Sequence, residues 1–215
     1  TPEVTILLPD DGTTPGTNLA PTSIFFYYSG AAAGGEGWRQ QGSSPLVKQD
    51  DLVIVPESYF IVRNTSNSVA KLVLSGYVPM TAYRTPLNRL SNGLAQDNFV
   101  SLPFPSEFSL SESKLFESGA VAGSSTFTPN DRIIILDNDS SGINKSSSEI
   151  YFYYTGAAAG GAGWRKTGDS PLNIYDDVKV FQPSEGFIVR KSAGTAGSSI
   201  WSVSPPYASP LAVVE

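Results

Sequence analysis

Apolar and polar residues alternate in short runs along this chain, and the dominant period is two. Ala70–Tyr77 is the clearest run. Lys71, Val73 and Ser75 fall on one face and Leu72, Leu74 and Gly76 on the other, the pattern of an antiparallel strand that is wet on one side. Other runs rich in β-branched and aromatic residues, bounded by Gly, Pro, Asn, Asp or Ser, predict further strands. In the first half they lie at Val4–Leu8, Ile24–Tyr28, Leu52–Val55 and Tyr59–Arg63. In the second half they lie at Phe99–Leu102, Arg132–Leu136, Ile150–Tyr154, Val178–Phe181, Gly186–Lys191 and Ser199–Val203. Helical signal is scarce. The best candidate is Ser109–Gly119, where Ser109 and Glu112 form a capping-box pair and Gly119 a stop. The expected class is all-β.

The pattern also repeats. Gly30-Ala-Ala-Ala-Gly-Gly-Glu-Gly-Trp38-Arg39 returns as Gly156-Ala-Ala-Ala-Gly-Gly-Ala-Gly-Trp164-Arg165. Ile24–Tyr28 matches Ile150–Tyr154, Ser44-Pro-Leu46 matches Ser170-Pro-Leu172, and Phe60-Ile-Val-Arg63 matches Phe187-Ile-Val-Arg190. An internal duplication of this kind predicts two similar antiparallel units, sandwich- or barrel-like. Residues 1–88 are expected to form the first unit. Residues 89–215 form the second, with a leading strand and a short helix that bridges the copies.

Each Gly-Ala-rich stretch joins an aromatic strand to a Trp-Arg strand, so it reads as a hairpin loop with a bulge. A phosphate loop would end in Lys-Ser/Thr and open a helix, and neither follows here. Adjacent Trp and Arg point to opposite faces of a strand, which places Trp in the core and Arg outside. Arg39 is expected to pair with Asp50 or Asp51, and Arg165 with Asp176 or Asp177.

Composition narrows the functions. The chain has 215 residues, no Cys and no His. Disulfides, thiolate chemistry and Cys-based zinc sites are therefore out, and so is the side chain most used as a general base. Charged residues are only 16% of the chain, with a net charge of −6 and no cluster of Lys or Arg. That balance argues against nucleic acid and against an anionic membrane surface as partners. The uncharged run Ile150–Trp164 is too short and too Gly-rich to span a bilayer. Two carboxylates on one face would be needed for a glycosidase. The Asp50-Asp51 and Asp176-Asp177 doublets put theirs on opposite faces, so no enzyme is expected. A Cys-free chain rich in Ser and Thr fits a secreted bacterial protein, as does a start at Thr1-Pro2 after removal of a leader or trimming.

Asp137-Asn-Asp139-Ser-Ser141-Gly142 has the oxygen spacing of a calcium-loop opening. Ser148 stands at the twelfth position where such loops carry Glu. Asp137, Asp139 and Ser141 are the candidate calcium ligands, with a metal-free polar turn as the alternative.

The order Tyr-Tyr, Gly-Trp-Arg, Gly-Phe-Ile-Val-Arg, together with Asn98-Phe-Val-Ser-Leu-Pro-Phe-Pro105, Leu115-Phe-Glu-Ser-Gly119 and Asp137-Asn-Asp-Ser-Ser-Gly-Ile-Asn-Lys-Ser146, resembles a family of secreted proteins abundant as paralogues in Verrucomicrobia. The likeness covers most of the second half, and reaches the first through the repeat. It implies export, and it carries no catalytic residues with it.

The two copies differ in one respect. The second is preceded by Phe99–Leu102, and nothing precedes Val4 to fill that place. The first unit is thus expected to have an open sheet edge, completed by a strand from another chain. The donor candidates are the leading segment with Val4, Ile6 and Leu8, and the tail with Leu211, Val213 and Val214. The expected function is a secreted structural subunit, self-assembling into a filament or surface array. The alternative is a carbohydrate-binding or adhesion module that presents Trp38, Trp164 or Tyr83 to a glycan.

Overall fold

A computed structural model describes the chain apart from residues 1, 10–12, 33, 55–58, 69–72, 74–75, 103, 141, 144–145 and 208–215. The chain is all-β. Its strands are β1 (Val4–Leu8), β2 (Ser23–Tyr28), β3 (Gly37–Gln40), β4 (Ile61–Asn64), β5 (Tyr83–Arg89), β6 (Gln96–Ser101), β7 (Phe108–Ser109), β8 (Arg132–Leu136), β9 (Ser147–Tyr154), β10 (Gly163–Lys166), β11 (Lys179–Phe181), β12 (Gly186–Lys191) and β13 (Gly197–Val203). No helix among the described residues is long and apolar enough to cross a membrane.

Two sheets dominate, and all strand pairs in them are antiparallel. The first has the order β3-β2-β1-β4, and the second β10-β9-β8-β12-β6. The first four strands of the second sheet repeat the first sheet in order and register. Tyr27 lies opposite Trp38 as Tyr153 lies opposite Trp164. Ile6 lies opposite Phe25 and Val62 as Ile133 lies opposite Tyr151 and Val189.

The largest core belongs to the second sheet. Ile133, Tyr151, Trp164, Phe187 and Val189 point into it from one face. The antiparallel pair β5–β13 and the segment 104–121 close over them with Leu87, Trp201, Leu110 and Leu115. β5 pairs with β13 along its whole length, so Tyr83 and Leu87 pack in the core of the second sheet. The strand β5 carries Pro86, a residue tolerated there because its sheet has only two strands and the ladder is not interrupted on a second side.

Ser109–Gly119 is not a helix. The capping box does form, with Ser109 N donating to Glu112 Oε2 at 2.8 Å and Glu112 N to Ser109 Oγ at 3.2 Å. Lys114 then adopts φ of 56°, a left-handed conformation that breaks helical propagation. Two separate turns result. The segment does not bridge the copies. It lies on the second sheet, where Trp201 Nε1 donates to Ser113 O at 2.7 Å and Phe116 stacks on Tyr153 at 3.6 Å between ring centroids.

The units meet at β6. Asp97 N donates to Gly16 O at 3.0 Å and Asn18 N to Asp97 Oδ2 at 2.8 Å, so a loop of the first unit covers the outer edge of that strand. Arg190 holds Asp97 with two bonds of 2.6 and 2.9 Å. Tyr59 stacks on Phe99, over Gly186, where a Cβ would come within 1.6 Å of the tyrosine ring.

Candidate functional site

The Gly-Ala-rich loops are hairpin turns with the same internal bracing. In the first, Arg39 Nε donates to Pro45 O at 2.8 Å and Nη2 to Gly35 O at 2.7 Å. In the second, Arg165 Nε donates to Pro171 O at 2.9 Å and Nη2 to Gly161 O at 2.7 Å. Both guanidiniums are buried, at 2% and 1% exposure, so the expected surface position is corrected. Small residues let the loop backbone close over each arginine, and its carbonyls satisfy the fork that alternation alone would send into water. The aspartates cap the adjoining strand. Trp38 N donates to Asp50 Oδ1 at 2.7 Å, and Trp164 N to Asp176 Oδ1 at 2.7 Å. These motifs are a scaffold, and the difference between the copies lies elsewhere.

In the second sheet, β6 lies along the outer edge of β12, with Arg190 opposite Asp97 and Ile188 opposite Phe99. In the first sheet, β4 occupies the position of β12. It pairs with β1 on one side, and no strand among the described residues pairs with its other side. Ile61–Asn64 of β4 instead border a cavity lined also by Leu136, Asp137, Asn138 and Ile143.

The face beside that edge also differs. Trp164 is 0% exposed and Tyr153 lies under Phe116. At the same places in the first sheet, Trp38 is half-buried and Tyr27 is 51% exposed, although their rings meet edge-on at 5.7 Å as the second pair does at 5.4 Å. Val189 is fully buried, whereas Val62 is 39% exposed. A cleft of about 180 Å³ opens on this face, lined by Ile6, Leu8, Phe25, Trp38, Leu52 and Ile54 among others. It is smaller than the roughly 300 Å³ at which small-molecule sites begin. Leu52–Ile54 form no strand. The matching β11 pairs with β7, and no described residues supply that partner in the first unit.

Val4, Ile6 and Leu8 belong to β1, the interior strand of the first sheet, paired on both sides. Ile6 and Leu8 line the cleft on this face. Leu211, Val213 and Val214 lie outside the described residues. Among the aromatic residues proposed for a glycan, Trp164 is enclosed and Tyr83 is buried, so only Trp38 keeps a partly open ring. Tyr27, which alternation did not single out, is the more exposed surface. Asp137 Oδ1 accepts from Ser140 N at 2.9 Å and closes a turn; Ser141 lies outside the described residues, and no trio of acidic side chains gathers with Asp139 among those described.

The first sheet thus has a partly exposed apolar face, and its β4 edge has no strand partner among the described residues. No family model, curated protein or solved structure matches the chain.

Proposed function

We propose that this protein is a structural subunit of a secreted bacterial filament or cell-surface array, in which the first sheet is completed by a strand from another chain. One observation carries the reading. The second sheet has β6 along β12, and the matching edge of β4 has no strand among the described residues. An unpaired edge beside an apolar face is a template for pairing with another chain, and pairing that does not close on itself propagates. The glycan-binding alternative rests on Trp38 and Tyr27 alone, next to a cleft whose named lining is largely apolar.

Sedimentation velocity across a range of concentrations tests the reading. The chain should form species larger than one molecule, and Val62→Lys, which sets a charge on the open strand, should hold it monomeric. A chain that stays monomeric throughout, or a lysine variant that assembles as well as its parent, overturns the reading. Folding of the variant is checked by its circular dichroism.

A further inference from the structure

We infer that the cavity which β4 shares with Asp137, Asn138 and Ile143 binds a neutral mono- or disaccharide, at a site built by both copies of the repeat. It is separate from the Trp38 face, and it does not rest on strand completion.

The duplication itself makes this space. Gly142 stands as far from Gly16 as Gly156 does from Gly30, so the chain after β8 corresponds to the chain after β1. Each of these stretches lies by the edge of the other copy's sheet. The loop at Gly16–Asn18 bonds Asp97 on β6, and β6 fills the interval between that loop and β12. On the first sheet, Asp137, Asn138 and Ile143 line an interval with Ile61–Asn64, and it is a cavity of about 450 Å³. Tyr59, which also lines it, lies against Gly186, its match in the second copy.

Its size falls within the range of small-molecule sites, which begin at roughly 300 Å³. The lining is mixed, with Ile61, Leu136 and Ile143 beside Arg63, Asp137 and Asn138. One guanidinium and one carboxylate offset each other, and Arg63 already has a partner, so the cavity presents no bare cation to an anion. A cation would meet Arg63 as a like charge. A wholly apolar ligand would strip water from the polar wall without replacing its bonds. A sugar suits both halves. Its hydroxyls donate and accept at once, and its C–H faces cover the isoleucines and the leucine. Part of the polar wall is committed to shape, since Asn64 Nδ2 donates to Ser68 O at 2.6 Å and Asp137 Oδ1 accepts from Ser140 N at 2.9 Å. Asn138 is exposed and its side chain makes no hydrogen bond among the described residues, which leaves its amide for the ligand.

Amide chemical shifts of the nitrogen-15-labelled full chain, titrated with cellobiose, maltose and N,N′-diacetylchitobiose, test the site. At least one of these sugars should shift the amides of Ile61–Asn64 and Leu136–Asn138 saturably. Ile143→Trp, at a residue 51% exposed, fills the cavity and should abolish the shifts with unchanged circular dichroism. Asn138→Ala should weaken binding about fivefold, as loss of a hydrogen bond does. The site is overturned if none of the three sugars binds, if both variants bind as the parent does, if a uronic acid binds more tightly than any of them, or if the shifts centre on Tyr27 and Trp38. Sedimentation keeps this result apart from strand completion. Sugar binding by a chain that never assembles would keep the site and remove the filament, and assembly without sugar binding would do the reverse.

Discussion

Trp164→Ala should destabilise the protein by about 3–5 kcal/mol, and Trp38→Ala by clearly less. The two tryptophans share their motif, their strand position, their capping aspartate and their edge-on tyrosine. They differ in cover. Trp164 is fully enclosed by the layer that the second unit lays over its sheet, so its removal leaves a cavity that rigid neighbours cannot fill. Trp38 already borders an open cleft, and part of its surface contacts water before truncation. Urea denaturation of both variants, at a concentration where the chain is monomeric, measures the contrast. Equal costs would mean that the first sheet is as well covered as the second.

Asp131→Ala should cost a comparable 3–5 kcal/mol or thereabouts, because it leaves a buried cation without its counter-charge. Asp131 is fully buried and stands just ahead of β8. Its carboxylate bonds Lys191 at 2.6 Å, accepts from Ser192 N at 2.7 Å and Ala122 N at 2.9 Å, and lies 3.9 Å from Arg89. Three segments therefore meet on one side chain: the stretch at Ala122, β5, and the end of β12 with Ser192. The ammonium of Lys191 is also held by Ala120 O at 2.6 Å, which keeps it in place when the aspartate is lost. Asp131→Asn should fall between the parent and the alanine variant, since it keeps the side chain's volume and one oxygen acceptor. Thermal and urea unfolding of the three proteins check the order. The first unit has no part in this network, so its stability should be unaffected by the change.

The fold was readable where side-chain period and turn chemistry agree. Ile24–Tyr28, Arg132–Leu136 and Gly186–Lys191 combine β-branched or aromatic residues with clear boundaries, and all lie in strands. β5 escaped because Pro86 reads against a strand, and the two-stranded sheet that tolerates it is a tertiary fact. β6 was read too late in the chain because Gln96, Asp97 and Asn98 look like a turn. They are in the ladder because the loop at Gly16–Asn18 and Arg190 satisfy the side chains of Gln96 and Asp97 across about 80 to 90 residues of sequence, and Asn88 and Val189 O satisfy that of Asn98. Of the predicted Leu52–Val55 strand, Leu52–Ile54 form none, since apolar alternation needs a partner to become a strand, and Val55 lies outside the described residues. The predicted run Ala70–Tyr77 lies largely outside the described residues.

The candidate site was half legible. The mismatch between the copies pointed to the strand that β12 has and β4 lacks among the described residues. The open face was not visible in the same residues, because Trp38 and Trp164 sit in near-identical motifs. Burial depends on what lies above a sheet, and residues 104–121 sit above only one of the two.

Amide hydrogen exchange on β4 against β12 tests the central claim most directly. In dilute solution the amides of Ile61–Asn64 that turn away from β1 should exchange rapidly, while those of Ile188–Lys191, held between β8 and β6, should be strongly protected. On assembly, the β4 amides should become protected. Amides on β4 that are already as protected as those on β12 in the dilute monomer would contradict the account, because they would show that the first sheet has no open edge to fill.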